Sequence, residues 1–109
     1  MLQLETPEEP AHIKKQIKEI REMLSREASI DRLSQDTLSV WIFNLLPKYL
    51  WDHWGPTLRK NGITWQKFLR LLKYDTKYIR LWAFDKISWE DLMKEVKNTI
   101  NAEIKYRIL

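Results

Sequence analysis

Two short apolar stripes, set almost end to end between Gly62 and Trp89, constrain this chain more than any other feature of it. In GITWQKFLRLLKYDTKYIRLWAFDKISW, Phe68, Leu71 and Leu72 share one helical face, and Ile79, Trp82 and Ala83 share another. The Thr64 hydroxyl can accept from the free amides of a first turn, which starts one helix there and ends it near Lys73. Asp75 or Thr76 offers a second cap. Only a turn of a few residues fits between the two helices, so they must cross and share one small core.

Charge is concentrated on the same stretch. The chain carries +4, but residues 1–36 hold 6 basic and 8 acidic groups, residues 47–87 hold 9 and 3, and residues 88–109 hold 4 and 4. Lys67, Arg70, Lys73, Lys77 and Arg80 avoid the buried stripes and can face one way together. A basic patch of that density releases counterions from a phosphate backbone, which favours nucleic acid over an acidic protein as partner. The competing reading is a solvated helix face.

The stretch resembles the lambda-repressor/Cro-like helix-turn-helix family. Gly62, Ile63 and Thr64 match its opening; Phe68, Leu72, Tyr74, Ile79 and Trp82 stand where that motif is apolar; Ser88, Trp89 and Leu92 match the start of the following helix. The chain departs from the pattern at Leu69, where the family usually has Ala, and at Lys73, where it has Gly. Leu69 would push crossing helices apart, and Lys73 would be strained if the turn needs a positive φ. The resemblance covers Gly62 to Leu92 only. It implies duplex DNA binding, with the second helix in the major groove and its start and outward face, here Thr76, Lys77 and Arg80, meeting base edges. The Arg80 fork suits guanine, and the Tyr78 ring, on the same helix, could meet a thymine methyl or sugar. Gln66, Lys67, Arg70 and Lys73 would hold phosphates and set register.

The rest of the chain reads as helix around this unit, a single all-α domain over residues 1–109. Residues 1–10, with two prolines and three glutamates, are expected to form a loose lead. Ile13, Ile17, Ile20 and Leu24 give a narrow seam on a first helix, and the polar run Ser25–Gln35, anchored by Ile30 and Leu33, is expected to turn the chain. Asp36 can cap a strongly apolar helix from Thr37, with Pro47 ending it and opening another, and Gly55–Pro56 breaking or kinking that one. Gly62 fits a helix end. Ser88 with Asp91 makes a capping box for a long C-terminal helix over 88–108, whose stripe of Leu92, Met93, Val96, Ile100, Ile104 and Ile108 needs a partner over its far half. That partner could be the Ile13–Leu24 seam or a second copy, so a homodimer through the N- or C-terminal helices is open. Among the aromatics, Trp41, Trp82 and Trp89 are expected to be buried, and Tyr49, Trp51 and Tyr78 to be the more exposed.

Several function classes lose support. The chain has no cysteine, and His12 and His53, the latter beside Asp52, lack a second ligand or nucleophile pattern. No glycine-rich phosphate loop, HExxH or EF-hand spacing occurs, so neither an enzyme nor a cofactor or metal site is expected. No basic-then-apolar leader opens the sequence and no apolar run could span a bilayer, which points to a cytoplasmic protein with no membrane partner. The expectation is a duplex DNA-binding transcriptional or replication-associated regulator. Its alternatives are a helical protein-interaction adaptor and a single-strand binder using aromatic and basic residues.

Overall fold

Leu46, Leu50, Trp54 and Leu58 follow one another at four-residue steps, and each is at most 2% exposed. That stripe runs straight across Pro47 and Pro56, and the helix that carries it does the same. In a computed structural model of the chain, which describes residues 2–25 and 31–108 and the side chains of 2–22 and 44–106, the helices are α1 (Ala11–Ser25), α2 (Asp31–Lys60), α3 (Trp65–Tyr74), α4 (Thr76–Ala83) and α5 (Trp89–Ile108). The described residues contain no strand, and the protein is all-α.

The 30-residue α2 corrects the expected division of this region. It begins at Asp31, so Asp36 and Thr37 are interior and not a helix start; Pro47 and Pro56 lie within it. A mid-helix proline costs about 3 kcal/mol, but ending the helix at either one would split a stripe of four buried side chains. Burying such a side chain is worth about 1.5–3 kcal/mol each, so continuity wins. At 1.5 Å per residue α2 is about 45 Å long, close to the molecule's longest dimension of 50 Å. Gly55 lies under the indole of Trp51, and a Cβ there would meet the ring at 3.3 Å, closer than it can comfortably sit. The helix ends as expected at Gly62, whose φ of 76° lets the Ile63 amide reach back to the Leu58 carbonyl at 2.9 Å. The side chains of Leu24, Ile30, Leu33, Leu38, Val40, Trp41, Ile42, Phe43 and Ile108 lie outside the described ones.

The α1 seam packs on α2, burying Ile13 and Ile17. The stripe of α5 packs on α3 and α4 through Leu92, Met93, Val96 and Ile100, with Ile104 half-buried. Its first turn is held by Ser88, whose Oγ accepts from the Asp91 amide at 3.1 Å.

Residues 2–10 are not the loose lead that their composition suggests. Leu4, Pro7 and Pro10 are buried, and four ring donors tie the segment down. Trp54 Nε1 donates to the Glu5 carbonyl at 2.8 Å, Trp89 Nε1 to the Pro7 carbonyl at 2.8 Å, Trp82 Nε1 to Glu9 Oε1 at 2.9 Å, and the Tyr49 hydroxyl to the Glu8 carbonyl at 2.5 Å. Burial and the Glu8 carboxylate raise the Tyr49 pKa, which keeps that hydroxyl a donor. A buried indole N–H must find an acceptor, and here each takes one from this strap.

Two cations of α1 close the end of α4. Lys14 Nζ donates to the Trp82 carbonyl, sits 4.6 Å from the Trp82 ring centroid and pairs with Asp85 Oδ1 at 2.7 Å. Arg21 donates to the Ala83 carbonyl at 3.2 Å and stacks over Phe84 at 4.9 Å. Asp85 takes the left-handed conformation, φ 59°, that usually falls to glycine after a helix. Its hydrogen bond from Lys14 holds its pKa below the usual carboxylate value, so its pairing stabilises the fold above the ordinary Asp pKa and is lost as pH falls through the lowered one. Because the Asp85 carboxylate is largely exposed, Asp85→Asn is expected to cost under ~1 kcal/mol and to flatten the acid limb of stability against pH, measured by urea unfolding between about pH 2 and 7.

Candidate nucleic-acid interface

Helix α3 starts where Thr64 places it, with Oγ1 accepting from the Lys67 amide at 3.2 Å. Phe68, Leu71 and Leu72 are buried on one side of it, and Ile79, Trp82 and Ala83 on the facing side of α4. The joint between the helices is the single residue Asp75, which ends α3 and precedes α4 with φ −101° and ψ 15°. No positive φ is needed there, so Lys73 stays helical without the strain expected of a glycine position. Thr76 Oγ1 donates back to the Lys73 carbonyl at 2.7 Å and closes the joint.

Asp75 does not cap α4. Its side chain makes no bond to the helix amides; it is 4% exposed, and its Oδ2 has no hydrogen-bond partner. Burial raises its pKa; a hydrogen bond from Thr99 works against that shift, and the Glu95 carboxylate adds to it. The Thr99 hydroxyl has one proton and also lies 3.1 Å from the Glu95 carbonyl, so it cannot satisfy both acceptors at once.

The sequence-derived site residues separate into three groups. Gln66, Arg70, Lys73, Lys77 and Arg80 are exposed. By helical spacing Gln66, Arg70 and Lys73 lie opposite the buried stripe of α3, and Lys77 opposite that of α4. Among the described residues Arg70, Lys73 and Lys77 make no ion pair or hydrogen bond with their side chains. Lys67 is different, because its Nζ pairs with Glu103 of α5 at 3.0 Å. Thr76 and Tyr78 are half-buried, and Tyr78, expected to be exposed, packs against the core.

Tyr74 stands apart. It occupies a position that is apolar in the resembling motif, yet it is 78% exposed, one turn beyond Arg70 and next to Lys73. Its position last in α3 explains this, since the chain turns away at Asp75 before another element can cover the ring. The spacing from Phe68 and Leu72 could have shown it, as Tyr74 falls outside their face. Trp65 is 37% exposed at the other end of α3, with its ring edge-on to Trp51 at 5.6 Å, and Arg59 lies 5.3 Å over the Trp51 ring. Tyr49 and Trp51, like Tyr78, are half-buried rather than exposed.

The Tyr49 ring lies 6.0 Å from that of His12 and 4.8 Å from that of His53, both exposed histidines. Among the described residues no group of three or more His, Asp or Glu is placed to hold a metal ion, and no helix is long and apolar enough to cross a membrane. No protein-family model, curated protein or solved structure matches the chain.

Proposed function

We propose that the chain is a duplex DNA-binding protein of the cytoplasm, a transcriptional or replication-associated regulator, that presents the outer face of α3 and α4 to the phosphate backbone and sets α4 into the major groove. The observation that carries this reading is the exposure of Arg70, Lys73 and Lys77 together, without intramolecular partners among the described residues, over one apolar underside. Three uncompensated cations on successive turns gain little for the fold and match a row of phosphates. Thr76, Lys77, Tyr78 and Arg80 would meet base edges, with Arg80 on guanine, while Gln66, Arg70 and Lys73 hold phosphates. Lys67 would contribute less than its neighbours, because Glu103 already neutralises it.

Arg70→Ala and Lys73→Ala are each expected to lower the slope of log K against log salt by about 1 on any duplex, and Lys67→Ala to leave it nearly unchanged. Arg80→Ala should cost about 1–3 kcal/mol on a site selected from a random duplex pool and far less on random DNA. Fluorescence anisotropy at several salt concentrations measures both, and absence of retention on duplex at low salt would remove the reading. A second reading, single-strand binding, is favoured by the Tyr74 ring standing exposed beside Arg70 and Lys73. Tighter retention of unpaired DNA, lost in Tyr74→Ala and kept in Tyr74→Phe, would select it.

A further inference from the structure

The strap over residues 2–10 is buried with a period of three. Leu4, Pro7 and Pro10 face the helices, while Gln3, Glu5, Thr6, Glu8 and Glu9 are exposed. A β-strand would bury alternate residues; three per turn is the repeat of a polyproline II helix. That backbone makes no internal hydrogen bonds, so its carbonyls need external donors, and proline has no N–H that would require an acceptor. The indoles of Trp54 and Trp89 meet this need at the Glu5 and Pro7 carbonyls, and the Tyr49 hydroxyl does so at the Glu8 carbonyl. Side chains are read as well: Trp82 Nε1 donates to the Glu9 carboxylate, and Lys97 Nζ donates to the Thr6 hydroxyl. Rings that line a groove and donate to carbonyls, with prolines seated at a spacing of three, are how polyproline ligands are recognised between proteins.

We propose that the groove formed by Tyr49, Trp54, Trp82 and Trp89 is a binding site for an acidic, proline-spaced peptide of another protein, and that residues 2–10 occupy it in cis. The strap supplies the chemistry of the partner: an apolar residue or proline at every third position, no basic group, and glutamates between. Lys94 and Lys97 line the cavity beside residues 2–6 and outnumber the one acidic side chain that α5 adds there, Glu90, so the helix side of the cavity complements that charge. Trp82 lies on the buried face of α4, away from Lys77, so the groove does not depend on the outer face of that helix binding DNA. The cis segment acts as a competitor, because tethering holds it at an effective concentration on the order of millimolar.

The test titrates the full-length chain with a fluorescein-labelled peptide of sequence LQLETPEEP and follows anisotropy. The unaltered chain should take the peptide only near millimolar concentration, and the full-length Pro7→Ala/Pro10→Ala variant, with its strap weakened, at least tenfold more tightly. A peptide of scrambled sequence should bind at least tenfold more weakly to that variant. Equal binding of the two peptides, or no gain in the variant, would overturn the proposal. So would a concentration-dependent dimer that exchanges straps, seen by light scattering, since it would assign the groove to a second copy. Should circular dichroism show the variant unfolded, the unaltered chain decides by nuclear magnetic resonance. Millimolar peptide should then move the Thr6 and Glu9 amide resonances to random-coil positions, and resonances that stay in place would overturn the proposal.

Discussion

Trp82→Ala is expected to cost about 3–5 kcal/mol, the range for removing a large aromatic from a closed core. The residue is fully buried, stands 5.1 Å from the Trp89 ring and holds the strap through Glu9. Lys14 crosses its ring as well as its carbonyl, so the loss also loosens the contact between α1 and the end of α4. Domains of this size are stable by about 5–15 kcal/mol, so the variant should sit at or near the edge of folding, with a thermal midpoint lowered by more than about 15 °C. Trp65→Ala is the comparison. With 37% of the residue already in solvent, it should cost under ~1.5 kcal/mol, in line with a partial loss of transfer energy. Calorimetry on both variants checks the pair; equal losses would contradict the packing described for these two indoles.

Asp75→Asn is expected to stabilise the protein at neutral pH by on the order of 1 kcal/mol, because it removes a charge that burial disfavours and keeps a side chain of nearly the same shape. The sign with pH follows from the direction of the shift. The Asp75 pKa in the folded chain is raised, chiefly by burial. Below the ordinary carboxylate value both folded and unfolded chains hold the proton, and the residue carries no charge penalty. Between the ordinary and the raised value only the folded chain keeps the proton, so stability falls as pH rises. Above the raised value the penalty is full and constant. The asparagine carries no titrating proton, so its advantage should be largest at pH 7 and vanish below about pH 4. Urea midpoints measured across that range test this, and an advantage that grows toward acid would show that the carboxylate is satisfied in the native chain. Glu95→Gln should act in the same direction more weakly, because its charge is a lesser cause of the shift.

Much of the architecture was legible as spacing. The starts of α3 at Thr64 and α5 at Ser88, the end of α2 at Gly62 and the buried faces of α3, α4 and α5 all follow from local rules: a hydroxyl that caps, a glycine that can turn left-handed, apolar residues three and four apart. The prolines misled because their penalty is local and easily read, whereas the Leu46–Leu50–Trp54–Leu58 stripe that outweighs it is apparent only when followed across both. The strap misled for the opposite reason. Its three-residue spacing of Leu4, Pro7 and Pro10 stands in the sequence, but nothing local says that three tryptophans, 49, 73 and 82 residues away along the chain, would turn their N–H groups toward it.

By itself the sequence determined an all-α chain, the caps at Thr64 and Ser88, the apolar stripes of α3, α4 and α5, and an excess of positive charge between residues 47 and 87. Only the tertiary structure decided which of those charges are compensated, pairing Lys67 with Glu103 and Lys14 with Asp85 while Arg70, Lys73 and Lys77 are left in solvent. It also decided that Asp75 is buried rather than capping. Periodicity fixes the face of a helix on which a side chain lies, but the partner of a charge or an indole is set by which other helix arrives opposite, and that depends on contacts distant in sequence.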